Sequence, residues 1–388
     1  MKVLHLINTL STGGAEMHLL TLCRYLKRQN SKVVVVCLRE HVKDSRSLRL
    51  DFEEENIRIV NLQAESRYDI FFLGRIARVL SEERPDILHT HLPRADFAGA
   101  FARFFHPGLV WVSSVHAIYS NDWSGRWSLP LFNVLWRQAD AMLCISHAVR
   151  EWLVRRGVPP EKARVIHYGI EPEKFSESTV NRRDQWGLND NVVIGSIGRL
   201  EPGKGHDLLI QAMPELSKRV PSARLLIAGH DPWGYGASLR RLIDRLGLGE
   251  KVRLVGFQAD VVAFLNALDI FAFASSSEGF GQVLVEAMAA RKPVVASKIS
   301  PLTEIVVDGK TGLLVEDGKP MAFADGLFRL SSHPEERKRM GSLGQERVKK
   351  HFTAQKMSQE TLSLYEELLR RTSGLRSSPE TFEIREVI

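Results

Sequence analysis

Two glutamates, Glu278 and Glu286, enclose the stretch EGFGQVLVE. Carboxylates so spaced suggest paired acid–base work. Glu278 comes just before Gly279-Phe280-Gly281, a turn from which a helix starts at Gly281 or Gln282 and buries Val283, Leu284, Ala287 and Met288. In that register Glu286 falls about one and a half turns inside the helix. An unpartnered carboxylate among apolar neighbours costs on the order of several kcal/mol, so Glu286 needs a ligand, a solvent-facing edge or a neighbouring turn to cap.

A second candidate is GRLEPGKGHD. Gly198 to Lys204 satisfies G-x4-G-K, but Gly205 stands where a phosphate-binding P-loop needs the Ser or Thr that ligates Mg²⁺. The kinase-like and ATPase readings fail on that residue. What survives is a glycine-rich turn that presents Arg199 and Lys204, two cations suited to a diphosphate; surface bases at a helix start are the plain alternative. A third candidate is NTLSTGGAEMHLL, where Gly13-Gly14 lets backbone approach a ligand and Glu16 enters the first turn of a helix. It is not G-x-G-x-x-G, which weakens a dinucleotide-binding reading. His89 and His91 form H-x-H at a strand end, a pair that could hold zinc, but no third ligand is evident.

These loops need elements to place them. KVLHLI (2–7), KVVVVCL (32–38), IRIVNL (57–62), DILHT (86–90), VWVSSV (110–115) and DAMLCI (140–145) are predicted strands. Helical periodicity lies between several of them, as over Ala15 to Arg28 and Ile70 to Glu83. After a polar stretch at 168–191 the pattern restarts with NVVIGSIG, ARLLIAG, KVRLVG, DIFAFAS and PVVAS. Apolar strands without polar alternation belong in parallel sheets covered on both faces. The fold class is therefore α/β, with two doubly wound Rossmann-like domains at about 1–170 and 186–353 and a linker near 170–185. The last helix, about Ala354 to Arg371, is amphipathic, and the tail from Thr372 is polar and expected to fray. In such sheets ligands bind beyond the strand C-termini, where all three loops lie.

With 44% hydrophobic and 26% charged residues, the chain is neither disordered nor membrane-spanning in composition. MKVLHLINTL reads as a first strand, not a signal peptide. Cys23, Cys37 and Cys144 are too few for a disulfide framework and fit a reducing cytoplasm. The net charge of +7 is concentrated in the first half, which suits phosphate-bearing ligands or an anionic membrane; no basic block with interleaved aromatics points to nucleic acid.

Taken together, these motifs resemble the family 4 retaining glycosyltransferases, over roughly residues 1–320. The most specific part is E-G-F-G-x4-E-A-M-A at 278–289, containing E-x7-E, followed by PVVAS and TEIVVDGKTGLLV. The resemblance implies the GT-B fold, two domains facing across a cleft, with the last helix packed back on the first. It also implies a catalytic set of His116, Arg199, Lys204 and Glu278. Donor binding would fall to Gly14, Arg199, Lys204, Glu278, Gly279, Phe280, Gly281, Gln282 and Glu286. In this scheme Glu286 accepts from ribose hydroxyls and Glu278 orients the donor sugar. The basic pair takes the diphosphate, and His116 in SSVHAIY faces the sugar, unless it is a hydrogen-bonded core histidine.

No metal and no cofactor is implied beyond the substrate, a UDP- or GDP-linked sugar, UDP preferred. The acceptor would be a glycan or lipid-linked saccharide in surface polysaccharide assembly. The enzyme would be cytoplasmic, with peripheral contact at the inner membrane face open. A nucleotide-sugar epimerase and a non-catalytic glycan- or nucleotide-binding protein are the alternatives.

Three positions depart from the family pattern. Gln282 replaces an aliphatic residue, Arg291 stands where glycine is frequent, and KISPLTE (298–304) lacks a glycine pair before its glutamate. The segment 101–140 holds Trp111, Trp123, Trp127 and Trp136, with Trp127, Leu131 and Leu135 at helical spacing beside Arg126 and Arg137. Exposed, these would suit sugar stacking or a membrane interface; packed, they would be an aromatic core.

Overall fold

The computed structural model describes residues 1–40, 47–64, 69–119, 131–175 and 182–376, with side chains to Thr372. The chain divides into two units. The first comprises Met1–Ile145, Arg150–Ile166 and the chain from Met357, and the second comprises Ser146–Val149 and His167–Lys356.

The first unit is built on seven parallel strands: β1 (Lys2–Ile7), β2 (Lys32–Cys37), β3 (Arg58–Asn61), β4 (Ile87–His91), β5 (Val110–Val115), β6 (Ala141–Cys144) and β7 (Ala163–Val165). Their order is β3-β2-β1-β4-β5-β6-β7. The order reverses between β1 and β4, and that junction is the switch point of the sheet. Apolar β1 and valine-rich β2 are buried along almost their whole length because helices cover both faces. On one face α1 (Gly14–Arg28) packs with α5 (Ala354–Arg376), which adds Met357, Leu364, Tyr365 and Leu368 to the core formed by Val3, Ile7, Leu19 and Cys23. On the other lies α2 (Pro93–Phe105), started by proline at its first position.

The second unit has six parallel strands: β8 (Val192–Ile197), β9 (Ala223–Ala228), β10 (Val252–Gly256), β11 (Ile270–Phe273), β12 (Val294–Ser297) and β13 (Gly312–Val315). Their order is β10-β9-β8-β11-β12-β13, so the switch point lies between β8 and β11. Helix α3 (His206–Arg219) follows β8, and α4 (Gln282–Ala289) follows β11.

Several details depart from expectation for local reasons. Strands β7 and β13 lie at sheet edges, three and four residues long, too short for a periodic signal. The tail does not fray at Thr372: its hydroxyl donates to the Leu368 carbonyl at 3.0 Å, and the helix continues to Arg376. Arg291 holds a left-handed φ of 58°. Its Nε donates to Gln345 Oε1 at 3.0 Å, which anchors a backbone shape that glycine adopts without strain. Trp111 and Trp136 are fully buried, so neither belongs to an exposed aromatic face. Trp123, Arg126 and Trp127 lie outside the described residues.

Candidate functional site

In the second unit the loops after β8 and β11 flank the switch point and are stitched together. The Gly203 carbonyl accepts from Ser276 N at 3.0 Å, Ser275 Oγ at 3.2 Å and Ser276 Oγ at 3.3 Å. Gly205, the residue that breaks the P-loop motif, has φ 70° and lies so close to β11 that a Cβ there would stand 2.0 Å from the Ala274 carbonyl oxygen. The missing hydroxyl is thus the consequence of two loops in contact. Their contact brings Lys204 Nζ to 2.7 Å from Glu278 Oε1, with both side chains largely buried.

Arg199 is placed differently. Its exposed guanidinium pairs with Glu201 at 3.0 Å and lies 5.5 Å over the Trp233 ring. Behind it His206, driven by burial to about 4, faces the Arg199 carbonyl at 3.3 Å and supports the loop as a neutral ring.

Gly281 precedes α4 as its N-cap, with a φ of 101° that few other residues adopt. Gln282 donates its amide to Glu286 Oε1 at 2.9 Å. Burial raises the Glu286 carboxyl above its ordinary value, and the Gln282 bond opposes the rise. The partner that the apolar setting of Glu286 demanded is therefore in part a residue of its own helix, one turn earlier. Gln282 Oε1 is buried with no protein partner. Phe280 is packed between the rings of His167, Tyr168 and Phe352, which fixes the turn, and the Gly279 carbonyl accepts from Ser146 Oγ at 2.7 Å.

Nearby, Glu304 accepts from the backbone N–H of His147 at 2.9 Å and Ala148 at 3.1 Å, and faces His167 Nε2 at 3.0 Å. Against a desolvation that would raise it, these contacts hold its carboxyl below the ordinary value. The partners of Glu304 lie 157, 156 and 137 positions away in the chain, so no local sequence signal marked this clamp.

In the first unit a histidine cluster occupies the C-terminal ends of β1, β4 and β5. His5 is in register with His89, and the two-residue repeat of a strand puts His89 and His91 on one face. His5 Nδ1 lies 3.0 Å from His91 Nε2, and His91 Nδ1 lies 3.0 Å from His116 Nε2. His89 is held by Ser114 Oγ at 2.8 Å and the Tyr365 hydroxyl at 2.5 Å. The third histidine beside H-x-H, which the sequence did not reveal, is His5, 86 positions from His91 and brought near only by strand pairing. Nitrogens of His5, His89 and His91 lie within 4.8 Å of one another, as do ligand atoms of His147, His167 and Glu304; these are the metal-capable groups among the described residues. Burial drives His5 and His116 down to about 3 and His89 and His91 well below their ordinary value, so the rings are neutral at working pH.

The glycine pair divides its labour. A Cβ on Gly13 would stand 2.5 Å from Glu16 Oε2, so Gly13 makes room for a carboxylate that burial raises above its ordinary value. A Cβ on Gly14 meets nothing within 4 Å, which leaves open space at the start of α1. On the opposite sheet face Asp96 accepts from Thr90 Oγ1 at 2.6 Å, Ser113 Oγ at 2.6 Å and Trp136 Nε1 at 2.9 Å. Burial pushes its carboxyl up to about 6.

Residues 12–174 match the family model described as Glycosyltransferase Family 4, and residues 179–347 match that of Glycosyl transferases group 1. The chain belongs to the family 4 glycosyltransferases. Its two parallel-sheet, Rossmann-like domains are those of the GT-B fold. Among family 4 relatives, the capsular polysaccharide biosynthesis glycosyltransferase CapM of Staphylococcus aureus is 25% identical over 370 residues, 90% of this chain and 93% of CapM. The GDP-mannose-dependent alpha-(1-6)-phosphatidylinositol monomannoside mannosyltransferase of Mycolicibacterium smegmatis is 31% identical over 249 residues, 60% of this chain and 64% of that protein. The crystal structure of HepE from Anabaena in complex with UDP and glucose superposes with a TM-score of 0.84 at 25% identity, covering 95% of this chain and 100% of HepE. Among the described residues, no helix is long and apolar enough to cross a membrane.

Proposed function

We propose that this glycosyltransferase moves a hexose from a nucleoside-diphosphate sugar, UDP-linked in preference to GDP-linked, with retention of anomeric configuration and without a metal. The observation that carries the reading is the meeting of Lys204 and Glu278 at the switch point of the second unit, with Glu286 further along α4. In this reading Lys204 and Arg199 neutralise the departing diphosphate and the N–H groups at the start of α4 assist them. Glu278 positions sugar hydroxyls, and Glu286 accepts from the ribose. His116 and the open space at Gly14 serve the sugar and acceptor side. In this reading neither glutamate takes a glycosidase-type nucleophile's part: Glu278 positions the sugar and Glu286 holds the ribose.

The UDP preference draws support from HepE, whose crystal structures hold UDP and UDP-glucose. A glycan or lipid-linked saccharide acceptor in surface polysaccharide assembly is supported by the likeness to CapM. Phe104 and Phe105, exposed at the end of α2, suit peripheral contact with the membrane that would carry a lipid-linked acceptor. The test is thermal shift against a panel of UDP- and GDP-sugars, since a ligand at 100 times its Kd adds roughly 2.7 kcal/mol. Transfer from the best donor in EDTA, with NMR of the new anomeric centre, then decides metal dependence and retention. A panel without any shift, or an inverted product, defeats the reading.

A further inference from the structure

Three side chains of the second unit that suit a metal, His147, His167 and Glu304, come together from separate stretches of chain, with ligand atoms within 4.8 Å of one another. A tetrahedral zinc ion bound at about 2.0–2.1 Å holds its ligand atoms about 3.3 Å apart. His167 Nε2 and Glu304 Oε2, at 3.0 Å, are already near that spacing. His147 is exposed and its ring stands 5.8 Å from that of His167, so rotation about its side-chain bonds completes the set. Coordination by His167 asks only that its neutral ring carry the proton on Nδ1, which frees the Nε2 lone pair.

The surroundings suit a bound ion. The backbone N–H groups of His147 and Ala148 donate to the two carboxylate oxygens of Glu304 at 2.9 Å and 3.1 Å, the outer support that holds a ligating carboxylate in place. Arg347 donates to the backbone carbonyls of Ile305 at 2.7 Å and Glu304 at 2.8 Å, not to that carboxylate. Exposure of His147 gives an ion a path from solvent. The group of His5, His89 and His91 is fully buried and offers no such path, and both His89 nitrogens are held by Ser114 and Tyr365.

We propose that His147, His167 and Glu304 form a zinc site with a fourth position open to water, a brace for the donor-site turn and not a participant in sugar transfer. Its ligands are tied to that turn. The His167 ring lies 5.6 Å from the Phe280 ring, and Ser146, next to His147, donates its hydroxyl to the Gly279 carbonyl at 2.7 Å. An ion that joins His147 to His167 therefore fixes the supports of Gly279 and Phe280 to each other. The link to a donor site rests on the function proposed above, whereas the metal site itself does not.

The experiment strips the full-length protein with EDTA, removes the chelator and titrates Zn²⁺ by calorimetry, with Co²⁺ as a spectroscopic probe of geometry. Wild type is expected to take one Zn²⁺ per chain, to show the intense visible absorption of tetrahedral Co²⁺, and to unfold at a higher temperature with Zn²⁺ than without. His147→Ala, at an exposed position, should fold as wild type and raise the Zn²⁺ Kd at least about tenfold, since losing a ligand costs no less than losing a ligand's outer support. His147→Cys should restore binding and add sulfur-to-cobalt charge transfer in the near ultraviolet, a signature that packing alone does not produce.

No Zn²⁺ bound by wild type, or a smaller rise in Kd in His147→Ala, overturns the proposal; undiminished binding in that variant would point to His5, His89 and His91 instead. Absence of sugar transfer by wild type would sink the functional reading and leave the zinc titration standing.

Discussion

Lys204 Nζ lies 2.7 Å from Glu278 Oε1 across 74 residues of chain. The residue assigned to the diphosphate and the residue assigned to the sugar are each other's partner. A donor that engages both must loosen this pair, so the two side chains should act as one unit. Lys204→Ala is expected to lower kcat about 100-fold, the scale of losing one fixed charge-stabilising group, while the far-UV spectrum stays that of wild type. A double-mutant cycle with Glu278→Ala should be strongly non-additive. Additive losses in kcat/KM would show that the two residues work separately.

Glu286 yields a pH-dependent expectation. Its carboxyl is raised in the folded protein, so the stabilisation linked to its proton is complete below the ordinary carboxylate value and is lost as pH rises through the raised one. Glu286→Gln, which needs no proton, should gain stability relative to wild type at about pH 8 and show little gain at about pH 4, either side of the ordinary Glu range. Urea denaturation at the two pH values measures this. The same variant should weaken donor binding by about tenfold, the cost of exchanging a charged acceptor for a neutral one.

Asp96 gives the first unit a pH response of the same sign. Its folded value of about 6 exceeds the ordinary one, so stability linked to its proton is present at low pH and lost as pH climbs through about 6. Asp96→Asn should flatten the stability profile over that window. Asp96→Ala strands the Thr90 and Ser113 hydroxyls and the Trp136 N–H, and should cost at least about 3 kcal/mol. A loss well under that figure in urea titrations would mean that water replaces the carboxylate.

Gly205→Ser completes the P-loop motif on paper. In the folded chain its Cβ would meet the Ala274 carbonyl and its φ of 70° would be strained. The variant should therefore lose roughly 2–3 kcal/mol and gain no Mg²⁺-dependent nucleotide hydrolysis. Hydrolysis that appears on adding Mg²⁺ would refute this account of the loop.

The doubly wound class, the strand set around both switch points and the loops that follow β1, β8 and β11 were legible because unbroken Val/Ile runs and glycine turns are local signals. The Gly-Phe-Gly turn and the apolar residues after it likewise placed the start of α4 at Gly281 or Gln282, and the helix runs from Gln282. Contacts made by strand order were not legible. His5 joins His91 only because β1 and β4 are neighbours, and Asp96 finds Thr90 and Ser113 only because α2 crosses β4 and β5. The reason for Gly13 was hidden too, since a glycine that clears space for Glu16 looks the same as one that admits a ligand.

The Gly203 carbonyl, which receives donors from both Ser275 and Ser276, makes the segments 198–205 and 274–278 a single interchangeable part. A chimera that imports one segment from a relative with a different donor would bring a backbone shaped for a foreign mate. Donor preference should therefore travel between family members only when both segments are moved together, and evolutionary drift in one would be felt first as a demand on the other.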